Sequence, residues 1–201
     1  MFEESHAIGG MSKRTWEDDP KRLGFVLARY KFVAKLLEGK RSVLEVGCAD
    51  GFASRVVRQA VGRLTAVDTD LESIVEAIEG NSDRWPITFL HLLDGIIPKG
   101  FDAVYALDVL EHIAPGSQEF LFLQGMRHAA PVAVIGMPSL ESQQYASEHS
   151  RREHVNCQTG PQFKTTLLQY WGEVFLFGMN DETLHTGFAP MCQYRLALCI
   201  K

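Results

Sequence analysis

Glu45 stands two residues ahead of the turn Gly47-Cys48-Ala49-Asp50-Gly51, which follows the apolar run Val43-Leu44-Glu45-Val46. A glycine turn after a buried strand lets backbone N–H groups approach a ligand closely. Dinucleotide sites use G-x-G-x-x-G, with the pyrophosphate on the following helix. Here the third glycine falls at the wrong step, and Glu45 and Asp50 bracket the turn with negative charge. A pyrophosphate would be repelled there, and a cationic ligand suits the turn better. Further along, acids and histidines recur at intervals. Asp68 lies 21 residues after Gly47, Asp94 sits between Leu93 and Gly95, and Asp108, Glu111 and His112 share one hexapeptide. His149, Arg151, Arg152 and His154 lie in a polar stretch, 139–156, and Asn180, Asp181, Glu182 and His185 cluster after an apolar run.

These residues need a scaffold, and the hydropathy pattern supplies one. Leu23, Val26, Leu27, Tyr30, Val33, Ala34 and Leu37 recur in steps of three and four, one face of a helix. Asp18 or Asp19 can cap it, Pro20 fits its first turn and Gly39 can end it. Strands at 42–46, 63–68, 87–92, 101–109 and 132–138 then alternate with helices at 52–61, 71–80 and 118–129. A helix at 161–171 and strands at 174–178 and 193–200 complete the chain. The alternation implies βαβ units and a parallel sheet, and the near-continuous apolar strands agree. The expected fold is α/β: a seven-stranded, mostly parallel, doubly wound sheet, helices on both faces, and an antiparallel last strand. The final two strands, with no helix between them, should pair antiparallel at one edge. Residues 1–15 are polar and are expected to lie outside the fold as a mobile segment. Residues 16–201 should form one domain, with no internal repeat. In such sheets ligands sit beyond the carboxyl ends of the strands, which is where the turn and the later acids fall.

Taken in order, E-x-G-C-A-D-G, Asp68, Asp94 and L-D-V-L-E-H resemble the motifs of class I S-adenosylmethionine-dependent methyltransferases. The resemblance covers about residues 30 to 200; the family's G-x-G-x-G reads here with Ala49 in the middle. It implies S-adenosylmethionine as cofactor and S-adenosylhomocysteine as product. That ligand carries a sulfonium and an ammonium and no phosphate, so an acid at position 45 is tolerable. By the same resemblance Glu45, Gly47, Cys48, Ala49 and Gly51 would line the cofactor. Asp68, with Thr69, would hold the ribose hydroxyls. Leu93 and Asp94 would recognise the adenine, and Asp108 would close the site. Taken singly, each has a plainer reading: Asp68 as a helix cap, Asp94 as a turn residue, Asp108 and Glu111 as helix-start acids.

Methyl transfer needs alignment of nucleophile and methyl, and a base where the acceptor holds a proton. His112, His154, Asp181 and His185 are the candidate catalytic residues. His154 resembles a histidine of small-molecule methyltransferases, and the 139–156 insertion is expected to cover the substrate. Trp16, Arg29 and Tyr30 either fold over the cofactor or pack in the core. The spacing of His112, His154, Asp181 and His185 has no ligand signature, so no metal site is expected.

Composition narrows the partners. With 20 basic against 25 acidic residues and a net charge of −5, the chain lacks the basic footprint of a nucleic-acid or anionic-membrane binder. The four cysteines form no C-x-x-C pair and read as reduced thiols. No secretory leader and no membrane span is seen, which points to the cytoplasm. The reading is a methyltransferase for a small hydroxylated or carboxylated acceptor, a sugar or polysaccharide precursor for example. The alternatives are a non-catalytic S-adenosylmethionine-binding protein and, against the turn spacing, an NAD-dependent oxidoreductase. Nothing in the sequence fixes the oligomeric state.

Overall fold

Asp19 accepts a hydrogen bond from the Lys21 amide and Pro20 takes the first helical position, so the chain's first long helix begins where its cap residues dictate. The computed structural model describes residues 8–187 and 191–201. The fold is α/β, with eight strands among the described residues, mostly parallel and flanked by helices. It divides into two units, Met1–Ile96 and Ile97–Lys201.

The first unit holds α1 (Gly10–Asp18), α2 (Pro20–Leu36), β1 (Ser42–Val46), α3 (Ser54–Arg58), β2 (Arg63–Asp68), α4 (Leu71–Glu79) and β3 (Thr88–His91). Its strands run parallel in the order β3-β2-β1, with Val46 opposite Val67 and Asp68 opposite His91. Val33, Leu37, Val43, Leu44, Ala66 and Val67 are sealed from solvent. Helical structure begins at Gly10, earlier than residue 16. The reason is local: the Gly10 amide donates to Glu76 and the Ser12 amide to Asp50, so acids satisfy the first N–H groups of α1.

The second unit holds β4 (Ala103–Leu107), α5 (Ser117–Ala129), β5 (Val132–Pro138), α6 (Glu148–Glu153), α7 (Gly160–Leu167), β6 (Glu173–Asn180), β7 (Thr183–His185) and β8 (Tyr194–Ile200). Short 3₁₀ turns span Leu110–His112 and Leu140–Tyr145. The strand order is β4-β5-β8-β6-β7. β4 and β5 are parallel, and β8 runs antiparallel to both β5 and β6.

Two expectations are corrected here. The strand count is eight, because Asp181 adopts φ +52° and turns the chain back so that β7 pairs with β6. The last two long strands pair antiparallel as expected, but β8 lies between β5 and β6, and β7 takes the edge. The burial pattern explains this: Tyr194, Leu196, Ala197 and Cys199 of β8 are all buried, which suits an inner strand. Gly136 makes the close packing possible, since a Cβ there would lie 2.7 Å from Leu107 and 2.8 Å from Tyr194. No helix among the described residues is long and apolar enough to cross a membrane.

Candidate functional site

The turn after β1 winds through left-handed backbone: Gly47 has φ +82°, Ala49 +47° and Gly51 +67°. Gly51 is needed twice over, because a Cβ there would also lie 2.5 Å from the Phe89 ring. Ala49 accepts its unusual conformation, at a cost of about 1 kcal/mol, under tertiary restraint. Its amide donates to Asp68 Oδ2 at 2.8 Å. The amides of Gly47 and Cys48 both donate to the Val67 carbonyl, so the turn is stitched along the end of β2.

The two acids that bracket the turn have different partners. Glu45 is 1% exposed, and the Tyr30 hydroxyl donates to its Oε1 at 2.8 Å. Asp50 accepts from the Ser12 amide at 2.7 Å, the Ser12 hydroxyl at 3.0 Å and the Phe52 amide at 3.2 Å. The charge of Asp50 is therefore spent largely on the start of α1. Cys48, buried beside these groups, reports their field. Burial, then Glu45, Asp68 and Asp50, push its thiol far above the ordinary range.

Asp68 does not cap α4. Asp70 does, accepting from the Ser73 amide at 3.0 Å and the Ser73 hydroxyl at 2.6 Å, bonds that hold the Asp70 carboxyl below its usual range. Asp68 instead takes the Ala49 amide on one oxygen and the Asp70 amide on the other. A carboxylate has about four lone-pair sites, so acceptor capacity for a diol remains. Thr69, beside it, offers its carbonyl to His91 Nε2 at 3.0 Å. Leu93 and Asp94 lie in an exposed turn that Gly95 closes at φ +64°.

In the second unit, Asp108 directly follows β4 with φ +56°, and its amide donates to the Gly136 carbonyl. The 3₁₀ turn that follows buries Glu111 and exposes His112. His154 follows α6 and stands edge-on to His112, ring centroids 5.1 Å apart at 76°. Ligand atoms of Glu111, His112 and His154 all lie within 4.8 Å of one another. Buried amides fix the loop that brings them together. Asn156 N–H donates to the Glu111 carbonyl, while the Asn156 and Gln158 side chains donate to Glu119. Burial, then Glu111 and Asp108, push the nearby Cys157 thiol up to about 12. The other candidates stand apart from this group. His185 donates Nε2–H to Asn180 Oδ1 at 2.6 Å, and its Nδ1 accepts from the Gly187 amide, so both ring nitrogens serve the β6–β7 turn. Asp181 is the exposed residue that makes that turn. His149, Arg151 and Arg152 are exposed on α6, where Arg152 pairs with Glu148. Trp16 is exposed, while Tyr30, Phe163 and Trp171 are core residues.

Sequence reasoning did not foresee Tyr30 as the partner of Glu45, the seating of α1 on Asp50, or Gln143, whose side chain accepts from His154. A sequence signal existed for α6, in Ser147 at its N-cap and Glu148 in its first turn, whereas α1 starts from Gly9 with no side-chain cap.

No protein-family model matches the sequence, and no curated protein matches it. Solved structures do match along most of their length. The methyltransferase domain of a bacterial Hen1 (CtHen1-C) superposes with a TM-score of 0.71 at 15% identity, over 88% of this chain and 98% of that one. The N-methyltransferase NodS of Bradyrhizobium japonicum, solved with S-adenosyl-L-homocysteine, gives 0.66 at 19%, over 92% and 90%. Magnesium protoporphyrin IX methyltransferase from Synechocystis, solved with S-adenosylmethionine, gives 0.65 at 14%, over 97% and 86%. The chain thus has the fold of class I S-adenosylmethionine-dependent methyltransferases.

Proposed function

We propose that this protein transfers a methyl group from S-adenosylmethionine to a small acceptor bearing hydroxyl or carboxyl groups, of the sugar or polysaccharide-precursor kind. The observation that carries the reading is the left-handed turn 47–51, tied by the Ala49 amide to Asp68 and set among carboxylates. The residues present fit such a cofactor. The turn offers backbone and a single methyl at positions 47, 49 and 51, and its surroundings are negative where a sulfonium and an ammonium would be welcome. S-adenosylmethionine, when bound, supplies an electrophilic methyl on sulfur. Asp68 accepts the ribose hydroxyls with the lone pairs that the two amides leave. Glu45, held by Tyr30, adds to the negative field, and Leu93, Asp94 and Asp108 are assigned to the rest of the cofactor.

Work on the acceptor is assigned to His112 and His154 in preference to Asp181 and His185. Each of the first pair gives its Nδ1–H to an oxygen, which leaves Nε2 as the accepting atom. Both ring nitrogens of His185 are already used by the β6–β7 turn. The acidic net charge favours a small molecule over a nucleic acid, and a cytoplasmic setting goes with this reading.

Titration calorimetry with S-adenosylmethionine, S-adenosylhomocysteine and NAD tests the cofactor. Binding of the two adenosyl compounds without NAD is expected; NAD binding alone would overturn the assignment. Methyl transfer to a panel of hydroxylated and carboxylated acceptors tests the reaction. Tight cofactor binding with no transfer to any of them would favour the non-catalytic reading.

A further inference from the structure

We propose that Glu111, His112 and His154 bind one divalent transition-metal ion, of the zinc or cobalt type. Their ligand atoms already lie within 4.8 Å of one another. Two imidazoles and one carboxylate form a set that suits first-row transition ions and leaves positions for water or substrate oxygen. Magnesium and calcium prefer oxygen ligands throughout.

The contacts behind the rings are the second observation. His112 Nδ1 lies 3.2 Å from the Glu153 carbonyl, and His154 Nδ1 lies 2.9 Å from Gln143 Oε1. Both oxygens can only accept, so both rings carry their proton on Nδ1 and present Nε2 as a ligand atom. Metal-binding histidines are held in this way, with the far N–H given to a carbonyl or carboxylate that fixes tautomer and ring angle. Glu111, 1% exposed, is a charge whose burial a nearby cation would favour. A ring nitrogen that binds an ion holds no proton, so with the ion in place the histidines act as ligands instead of bases.

The inference rests on this cluster alone and is tested without cofactor or acceptor, so its failure leaves the methyltransferase reading standing. Calorimetry with Zn²⁺, and the visible spectrum with Co²⁺, should report about one ion per chain. His112→Ala and His154→Ala should each weaken binding at least tenfold, and Gln143→Ala roughly tenfold through the orientation of His154. His149→Ala, at an exposed site on α6, should leave it unchanged. Circular dichroism confirms that each variant is folded. Absence of stoichiometric binding, binding indifferent to both histidine variants, or equal affinity for Mg²⁺ would overturn the proposal.

Discussion

The turn after β1 and the Glu111–His112–His154 group are both surrounded by acids, yet they are built on opposite plans. In the turn, Asp50 and Asp68 each receive two or more hydrogen bonds from amides or hydroxyls, and Glu45 is sealed under Tyr30. In the second group, His112 is exposed and His154 half-buried, with the Glu153 carbonyl and Gln143 Oε1 behind their rings. A buried carboxylate stripped of its donors costs stability, so the turn is fixed by the demands of folding. The rings of His112 and His154, less deeply buried than Glu45, are oriented by the oxygens behind their Nδ1–H groups. The contrast teaches that the turn and the histidine group, in different units of this chain, are held in place by different means.

Four changes break or sharpen that contrast. Asp68→Ala should act most strongly, because it removes the proposed ribose acceptor and the partner of two amides together. Charge-assisted bonds of about 1.5–3 kcal/mol each imply a loss of S-adenosylmethionine affinity of roughly a hundredfold or more, read by calorimetry. An unchanged dissociation constant would remove the turn from the cofactor site. Gly51→Ala should cost about 2–4 kcal/mol in urea unfolding, from left-handed backbone and a clash with Phe89. His154→Ala should lower kcat about a hundredfold while cofactor affinity stays within twofold. A matched loss in both would merge the two regions. Tyr30→Phe should cost about 1–3 kcal/mol by depriving buried Glu45 of a donor, with kcat unmoved.

The smallest expected effect is on pH dependence. Burial alone pushes the Cys199 thiol from 9.0 to about 12. The folded state favours the neutral thiol, so this stabilisation is complete below pH 9 and fades as pH rises from about 9 to about 12. Denaturant unfolding of Cys199→Ala should show a shallower fall in that window; an identical slope would assign the alkaline loss to other groups.

Much of the fold was legible because apolar runs announce buried strands. The expected bounds of 63–68 and 132–138 coincide with β2 and β5. β7 was not legible, since three residues make no periodicity, and its existence depends on a left-handed Asp181. The 139–156 insertion read as a loop although Ser139 and Ser147 cap helical turns in it, because short polar helices lack an apolar stripe. Candidate residues of the turn could be read from their contiguity. Glu111, His112 and His154 could not be seen as one group, because the chain between them folds through α5, β5 and α6 before returning.

The inner place of β8 has a consequence for synthesis. In the order of synthesis, β5 and β6 both precede the strand that must lie between them, β5 by the whole stretch from Pro138 to Tyr194. Until it arrives, each presents an open edge with unpaired amides to its neighbours in the cell. Chains truncated before position 194 should therefore bind holdase chaperones, and chains that include the strand through Ile200 should not.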